Sequence, residues 1–365
     1  MSVATARRSN GRPSIPAVRF DHEQLVVRRG ERSGLYAIVA VHSTALGPAL
    51  GGVRLWSYPA PIDACRDALR LARGMTFKAA AARLDLGGGK GVICAPPGVR
   101  LEGERRRAAL LDFADLVESL NGRYITAEDV GVCPADMVTI AERTAHLTGL
   151  PPERGGSGDP SPFTALGVEA AMRACCAHAF GEPDLEDRTV AVVGLGHVGS
   201  SLARRLATAG AKLLVSDIVP ERRALADELG AEWVEPEEAM LSDCDLLAPC
   251  ALGGAIDRSN VEALRCRVVC GSANNQLADD GLEVELERRG TLYAPDFIAN
   301  AGGLIHIYME VKGYSEEHAR EHALGIERTL AGVLVAADER AITPLDAARA
   351  LARERLDAAT APVAG

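Results

Sequence analysis

The sequence reads Gly194-Leu195-Gly196-His197-Val198-Gly199 near its middle, between the apolar run 189–193 and an amphipathic stretch. Three glycines at this spacing, between a strand and a helix, are typical of a dinucleotide-binding turn. Gly194 permits the tight turn, Gly196 lets the backbone approach a pyrophosphate, and Gly199 lets the helix pack closely on the sheet. The helix N-terminus directs amide donors and a partial positive charge at the phosphates. The sequence therefore predicts a dinucleotide site at this turn.

Asp217 indicates which dinucleotide to expect. It ends the next apolar run, 23 residues after Gly194. A carboxylate here accepts a hydrogen bond from a ribose 2′-hydroxyl and repels a 2′-phosphate, so NAD is favoured over NADP. Leu195, His197 and Val198 complete the predicted cofactor contacts of the turn, and we interpret His197 as exposed rather than catalytic. The alternative, a glycine turn without a ligand, does not account for the strand, the spacing and the acidic residue together.

Apolar runs and helical patterns alternate along the chain on both sides of this turn. After residue 189 the alternation is regular, which predicts a parallel sheet with crossover helices. Ser161 is expected to cap a long helix that Gly181 ends. The predicted strands lie at 35–41, 91–95, 123–126, 189–193, 213–216, 245–248, 267–270 and 292–294. The other predicted helices lie at 63–73, 104–121, from Pro134 onward, 197–209, 221–229 and along 315–356.

A loop rich in glycine and proline, at 149–162, divides the chain. Its composition is typical of a domain junction, and 365 residues exceed what one hydrophobic core usually contains. We predict an α/β fold with two domains: an N-terminal α/β substrate domain at 1–150 and a Rossmann-type, doubly wound dinucleotide domain at 151–335. C-terminal helices at 336–365 are expected to return to the first domain.

Composition and charge exclude several classes of partner. Apolar residues make up 47% of the chain and charged residues 25%, as in ordinary globular enzymes. The net charge of −10 disfavours nucleic acid and anionic membranes, and no apolar run approaches the roughly 20 residues that span a bilayer. The segment 1–16 contains three arginines and lacks the apolar core of a secretory signal. We prefer a frayed terminus to a transit peptide for this segment.

The cysteines indicate a reducing compartment. There are nine of them, scattered along the chain, and none forms a Cys-x-x-Cys pair. We interpret them as small buried hydrophobic side chains in a cytoplasmic protein. No metal site is predicted, because no group of histidines and cysteines has the spacing of metal ligands.

Two lysines stand among glycines and small apolar residues. Lys78 ends Gly74-Met-Thr-Phe-Lys78 and precedes four alanines, whereas Lys90 follows three glycines and precedes an apolar run. Such surroundings desolvate an ammonium and lower its pKa, which suits a lysine that acts as a base. The alternative is a solvated surface charge, which we would prefer for Lys78 considered alone but not for Lys90.

Two polar segments follow predicted strands, where loops tend to carry chemistry. Asp129, in the stretch 127–131, is suited to exchange a proton with an amine or to hold Lys90 as an ion pair. A turn carboxylate is an equally good interpretation of Asp129 taken alone. The amides of 271–276 are suited to bond a nicotinamide carboxamide or a substrate amine, and asparagines in an ordinary turn are the alternative.

Seven motifs in combination show that the chain resembles the Glu/Leu/Phe/Val amino-acid dehydrogenases, in their short, hydrophobic-substrate branch. The resemblance covers about residues 35–356, nearly the whole chain. The motifs are Gly47-Pro-Ala-Leu-Gly-Gly-Val-Arg54, Gly74-Met-Thr-Phe-Lys78, Gly87-Gly-Gly-Lys90, Thr126-Ala-Glu-Asp-Val-Gly131, the turn 194–199, Gly271-Ser-Ala-Asn-Asn-Gln276 and Ala294-Pro-Asp-Phe-Ile-Ala-Asn-Ala-Gly-Gly303.

The resemblance implies a role for each of several residues. Lys90 would be the base that activates water against an iminium intermediate, Asp129 would move protons on the amine, and Lys78 would bind the α-carboxylate. The further substrate contacts it implies are Gly51, Gly52 and Asn275. The further NAD contacts it implies are Thr164, Cys250, Ala251, Ala273 and Asn274.

The reaction that the resemblance implies is NAD-dependent oxidative deamination of an apolar L-amino acid to the 2-oxo acid, ammonia and NADH. Leucine or valine is favoured, because 47–56 and 126–131 are similar to leucine enzymes. Phenylalanine is the alternative within the family, because 302–308 is similar to phenylalanine enzymes. The side chains of Leu304, Ile305 and Ile307 are suited to line an apolar pocket or to pack in the core.

The family also implies a homo-oligomer, often an octamer. A non-catalytic NAD-binding regulatory protein is the alternative from another class of function. The presence of Lys78, Lys90 and Asp129 together argues against it, because a protein without catalysis has no use for all three.

Overall fold

Two separate β-sheets organise the computed structural model, which describes residues 20–279, 281–313 and 315–361. The arginines of the segment 1–16 lie outside the described residues. No helix within the described ranges is long and apolar enough to cross a membrane. The predicted two-domain α/β architecture is confirmed, with one sheet in each half of the chain.

The first sheet is mixed. Its strands are β1 (Gln24–Arg29), β2 (Tyr36–Ser43), β3 (Ala49–Ser57), β4 (Gly87–Ala95) and β5 (Tyr124–Glu128). Their order is β1-β2-β4-β3-β5, with β3 parallel to both of its neighbours and β2 antiparallel to β1 and β4. The helices of this half are α1 (Pro61–Ala81), α2 (Gly103–Glu118) and α3 (Pro134–Ile140).

Glycines let the helices and neighbouring side chains pack closely on β4. A Cβ atom on Gly88 would lie 2.1 Å from the backbone nitrogen of Thr76 in α1, and one on Gly91 would lie 2.5 Å from the ring of Phe113. Since neither approach leaves room for a side chain, the run 87–91 brings α1 directly against the strand. The close approach at Gly88 sets the last turn of α1, which carries Lys78, beside the strand that carries Lys90.

Two sequence predictions in this half are wrong in their bounds. The helix predicted at 63–73 continues through Gly74 to Ala81, because packing against β4 outweighs the roughly 1 kcal/mol that a helical glycine costs. The predicted strand at 91–95 begins at Gly87, so Lys90 lies inside the strand and does not precede it.

The second sheet is parallel throughout. Its strands are β6 (Thr189–Val193), β7 (Lys212–Ser216), β8 (Glu232–Trp233), β9 (Asp243–Pro249), β10 (Arg265–Val269) and β11 (Leu292–Tyr293). They are ordered β11-β10-β9-β6-β7-β8, so the direction of winding reverses beside β6. This is the strand order of a doubly wound dinucleotide fold, in which ligands bind where the winding reverses.

Within the part of the chain that the structure describes, ten α-helices surround this sheet or connect it to the first one. Gly181 ends the first of them with a φ of 87°, as predicted. The prediction that Ser161 caps this helix is wrong: Ser161 is its first residue, and its N–H donates to Asp159 Oδ1 at 2.9 Å. The helices are α4 (Ser161–Phe180), α5 (His197–Thr208), α6 (Arg223–Leu229), α7 (Pro236–Ala239), α8 (Gly281–Arg288), α9 (Asp296–Ala299), α10 (Gly302–Lys312), α11 (Glu316–Leu324), α12 (Ile326–Arg340) and α13 (Pro344–Thr360).

The last helix joins the two halves of the molecule. While α12 packs on α4, α13 crosses back and packs on α1. Arg355 of α13 donates to the carbonyl oxygens of Ala79 and Ala80 at 3.4 and 3.2 Å and to Asp85 Oδ1 at 2.9 Å. A cation at the C-terminus of a helix satisfies carbonyl groups that have no partner in the helix itself. Arg355 therefore holds the end of α1 that carries Lys78.

Arg355→Ala is expected to lower the free energy of unfolding by about 1–2 kcal/mol, because it removes hydrogen bonds donated by a charged group to three acceptors. The measurement is urea unfolding followed by circular dichroism. Glu354→Ala is the matched control, since among the described residues Glu354 bonds only Arg340, in an exposed pair at 3.3 Å, and such pairs contribute at most about 1 kcal/mol. Equal effects of the two changes would contradict this role of Arg355.

Candidate active site

The centre of the first sheet holds an ion pair between a buried lysine and a partly buried aspartate. In the register of the sheet, Lys90 on β4 lies opposite Gly52 on β3. Gly52 in turn pairs with Ala127 on β5. Two residues on, Asp129 accepts from Lys90 Nζ through Oδ2 at 2.6 Å, and the lysine side chain is only 7% exposed. The ion-pair interpretation of Asp129 therefore fits the geometry.

The burial of this pair sets its protonation. Burial lowers the pKa of Lys90 below the ordinary lysine value, and Asp129 only partly offsets that effect. Burial alone would raise the pKa of Asp129, but the charges of Lys90 and Arg54 outweigh it and lower that pKa. A lysine with a lowered pKa is available as a neutral base closer to physiological pH than an ordinary one.

Lys78 belongs to the same site. It lies in the last turn of α1 and is partly buried, so the surface interpretation that we preferred for Lys78 alone is wrong. Burial is the main cause that lowers the pKa of Lys78 to about 8; the charge of Asp296 opposes this shift, and the charge of Lys90 adds to it. Lys78 thus senses the charge of Lys90, as expected of two groups that act on one small substrate.

Gly51 and Gly52 let the strands approach around these side chains. A Cβ atom on Gly51 would lie 1.7 Å from the carbonyl oxygen of Gly89, and one on Gly52 would lie 2.7 Å from Cβ of Asp129. Larger residues at either position would separate the strands that bring Lys90 and Asp129 together.

Three residues of the site were not recognised from the sequence. Arg54 donates to Asp129, and Asp67 accepts from Arg54. Asp296 faces Lys78 and accepts from the backbone N–H of Gln276 at 3.2 Å. Arg54 and Asp296 stand inside the motifs 47–54 and 294–303, which was a usable signal, whereas nothing in the sequence marks Asp67.

The predicted dinucleotide turn has the required geometry. Gly194 has a φ of 103°, and a Cβ atom on Gly199 would lie 1.9 Å from the carbonyl oxygen of Gly194. A Cβ atom on Gly196, in contrast, would have no neighbour within 4 Å, so the space above it is open for a phosphate. These residues fit NAD.

Asp217 stands at the position expected for the ribose. Its Oδ2 accepts from the N–H of Leu195 at 2.6 Å and its Oδ1 accepts from the N–H of Val219 at 2.8 Å. The carboxylate is therefore fixed against the turn. His197 is 79% exposed, with Nδ1 3.5 Å from Asp159 Oδ2, which agrees with our interpretation of it as an exposed residue.

The remaining candidate residues lie at the carboxyl edge of the second sheet. Cys250 and Ala251 follow β9, and the backbone nitrogen of Ala251 is 2.8 Å from where a Cβ atom on Gly194 would lie. Ala273 bonds the carbonyl oxygen of Pro249, and Asn274 Oδ1 accepts from Asn300 at 2.9 Å. The structure thus brings these four residues to the edge that carries the turn.

Asn275 follows this edge in a left-handed conformation, whereas Thr164 lies in the first turn of α4. Asn275 adopts a φ of 51°, and its carbonyl oxygen accepts from the N–H of Gly254 at 2.7 Å. Thr164 donates from Oγ1 to the carbonyl oxygen of Pro160 at 3.1 Å and lies against Gly303 at the start of α10. Their contacts with substrate and cofactor stay predictions.

The fold and the site together define a dinucleotide-dependent dehydrogenase. The model of the Glu/Leu/Phe/Val dehydrogenase dimerisation domain matches residues 18–146, and that of glutamate/leucine/phenylalanine/valine dehydrogenase matches residues 215–361. The NAD-binding domain model of D-isomer-specific 2-hydroxyacid dehydrogenases matches residues 169–252. The chain belongs to the Glu/Leu/Phe/Val dehydrogenase family, and the predictions of an enzyme and of NAD as its cofactor are confirmed.

Relatives of this chain extend over nearly its whole length. It is 46% identical to the leucine dehydrogenase of Thermoactinomyces intermedius, over 93% of this chain and 92% of that one. It is 43% identical to the valine dehydrogenase of Streptomyces coelicolor, over 92% of each. The crystal structure of L-tryptophan dehydrogenase from Nostoc punctiforme superposes with a TM-score of 0.81 at 38% identity, covering 93% of this chain and 97% of that one.

Gly196→Ala separates cofactor binding from folding. Since a Cβ atom here meets open space at a φ of −66°, the variant is expected to fold normally. It is expected to bind NADH about tenfold or more weakly, because the methyl group occupies the approach to the pyrophosphate. NADH fluorescence titration measures this, with Gly332→Ala as a control at another open position. Unchanged NADH affinity would show that the cofactor does not bind at this turn.

The pKa of Lys78, about 8, predicts how carboxylate binding depends on pH. The ammonium form binds the anion and is lost as pH rises through the pKa, so affinity is expected to fall above that pH, approaching about tenfold per unit. The measurement is inhibition by 4-methylpentanoate across the pH range. Lys78→Gln should bind this inhibitor weakly at every pH. An affinity of the unaltered enzyme that does not change with pH would contradict the assignment.

Proposed function

We propose that this enzyme catalyses the reversible NAD-dependent oxidative deamination of an apolar L-amino acid, with leucine or valine favoured. The products are the 2-oxo acid, ammonia and NADH. The observation that carries the proposal is the buried pair of Lys90 and Asp129, with Lys78 beside it. The leucine and valine dehydrogenases to which the chain is 46% and 43% identical support the choice of substrates.

Substrate binding begins with charge. The ammonium of Lys78 binds the α-carboxylate, and its partial burial strengthens the attraction relative to an exposed lysine. Gly51 and Gly52 offer backbone close to the substrate. Asn275, a substrate contact that the resemblance implies, is expected to lie between the amino acid and the cofactor.

The reaction then uses Lys90 and Asp129 as separate proton-transfer groups. NAD supplies the acceptor for the hydride that leaves Cα. Neutral Lys90 removes a proton from the water that attacks the resulting iminium carbon, and Asp129 transfers protons on the nitrogen as the carbinolamine collapses to the 2-oxo acid and ammonia. General acid–base help of this kind contributes about 10²–10⁴-fold.

The charges of the site favour an apolar side chain over glutamate. Arg54 already bonds Asp129 at 3.1 Å and Asp67 at 2.9 Å, so its charge is compensated by two carboxylates. A substrate with a second carboxylate would have to compete with both. Leu304 and Ile305 are buried in the core and Ile307 packs against it, so the core interpretation fits these three side chains better than the pocket interpretation.

We extend the proposal to domains, assembly and location. The substrate domain comprises 1–150 with the returning helices 336–365, and the NAD domain comprises 151–335. The family model over residues 18–146 is that of a dimerisation domain, which supports a homo-oligomer, and the resemblance favours an octamer. All nine cysteines are free and seven of them are buried, which supports a reducing cytoplasm.

A substrate panel tests the function. We expect NADH formation with NAD and L-leucine or L-valine at alkaline pH, little with L-glutamate, and little with NADP in place of NAD. Highest turnover with L-phenylalanine would select the alternative substrate. A folded protein that binds NADH but oxidises none of these amino acids would favour the non-catalytic NAD-binding protein.

Lys90→Ala tests the base directly. The variant is expected to bind NADH normally and to lose deamination by about 10²–10⁴-fold, because the attacking water is no longer activated. Lys212→Ala is the matched control, since Lys212 is an exposed lysine paired with Asp187 at 2.9 Å. Near-normal turnover of Lys90→Ala would remove Lys90 from the mechanism.

A further inference from the structure

Arg54 connects the Lys90–Asp129 pair to a second carboxylate on α1. It lies on β3, two residues beyond Gly52, and its side chain is 23% exposed. Its Nε donates to Asp129 Oδ2 at 3.1 Å, and one terminal nitrogen donates to Asp67 Oδ2 at 2.9 Å. The planar guanidinium bonds the two carboxylates through separate nitrogens in a fixed geometry, whereas an ammonium donates from one nitrogen.

The two contacts on Asp129 meet at one atom. Lys90 Nζ lies 2.6 Å from Oδ2, the oxygen that Arg54 also bonds. No hydrogen bond among the described residues reaches Oδ1 of Asp129. Two donors on one oxygen fix the orientation of the carboxylate and leave its other oxygen for a further partner. In a site for amino acids, the partner of suitable chemistry is the substrate amine.

Arg54 is itself held in place from α1 and the segment before it. Asp67 Oδ2 also accepts from the hydroxyl of Tyr58 at 2.7 Å, while Asp67 Oδ1 accepts from Arg70 at 2.9 Å. These contacts lower the pKa of Asp67 despite its burial, so it is ionised and pairs with Arg54 throughout the working range. The arrangement is a chain from Lys90 through Asp129 and Arg54 to Asp67.

We propose that Arg54 is a positioning residue for the deamination: it fixes the Asp129 carboxylate through Oδ2, leaves Oδ1 to the substrate amine, and competes with Lys90 for the shared oxygen. The inference rests on the proposed function, since it assigns Arg54 to that same site. It adds a residue that acts on the reaction through Asp129 and Lys90 rather than by touching substrate.

The competition between Arg54 and Lys90 for Asp129 Oδ2 affects the pKa of Lys90. The charge of Arg54 lowers the pKa of Lys90, and the other charged groups facing this lysine are Asp129, Asp67 and Lys78. Without the guanidinium, Asp129 pairs with Lys90 alone, which stabilises the ammonium. The pKa of Lys90 then rises, and its neutral, active form is reached only at higher pH.

Arg54→Gln tests the inference in the full enzyme. At neutral pH its kcat/KM for the amino acid is expected to fall about 10²-fold, the size of effect seen when a reacting group is misplaced. The rising limb of its kcat/KM profile should also move to higher pH. NADH affinity should not change, because Arg54 lies on the first sheet. Arg54→Lys should recover part of the activity, since it restores charge without the second hydrogen bond.

Arg66→Gln is the matched control. Arg66 lies on α1, its side chain is 48% exposed, and it pairs with Asp63 at 3.0 Å. Because no contact among the described residues links Arg66 to Asp129 or Arg54, the pH profile of this variant should match that of the unaltered enzyme. The inference is overturned if Arg54→Gln loses activity without a shift of the pH profile, or if both its activity and its pH profile are unchanged. The proposed function stands in either case. Failure of the proposed function is separate, because then the unaltered enzyme itself would oxidise no amino acid.

Discussion

A single carboxylate oxygen, Oδ2 of Asp129, holds the chemical centre of this enzyme together. It accepts from Lys90 at 2.6 Å and from Arg54 at 3.1 Å within the first sheet. A buried ammonium without such a partner would be strongly unfavourable, and removing one member of a buried pair typically costs about 3–5 kcal/mol. Because two cations share the oxygen, neither is fully neutralised. Lys90 is thereby kept in place, but its charged form is poorly stabilised. Its neutral form, which a base requires, is correspondingly easier to reach.

The rest of the architecture serves to bring this centre to the cofactor. Glycines on β3 and β4 allow three parallel strands and α1 to converge, so that Lys78 stands beside Lys90. The second sheet presents its glycine turn where the winding reverses, at the edge that also carries Asn275. The last helix returns across the molecule, and Arg355 bonds the end of α1. The chain contains only four lysines, and two of them belong to this site.

The sequence was sufficient to predict an element of the fold where the local residue pattern and the tertiary environment favour the same structure. The strand at 189–193 was predicted with correct bounds, because a buried parallel strand is a continuous apolar run. The strands β1 and β3 were not predicted: β1 is a short edge strand in which only half of the residues are apolar, and β3 contains two glycines and an arginine, which weaken the strand signal. The pairing of Arg54 with Asp67 and Asp129 joins residues 13 and 75 positions apart, and no local pattern records such contacts.

The central claim is that burial and a shared carboxylate lower the pKa of Lys90. It is tested most directly by NMR of the enzyme labelled with ¹³C at the lysine Cε atoms, where four lysines give four resolvable signals. Loss of one signal in the Lys90→Ala variant assigns Lys90. The account predicts that this signal titrates below the ordinary lysine pKa of about 10.4. A titration at or above that value would contradict it.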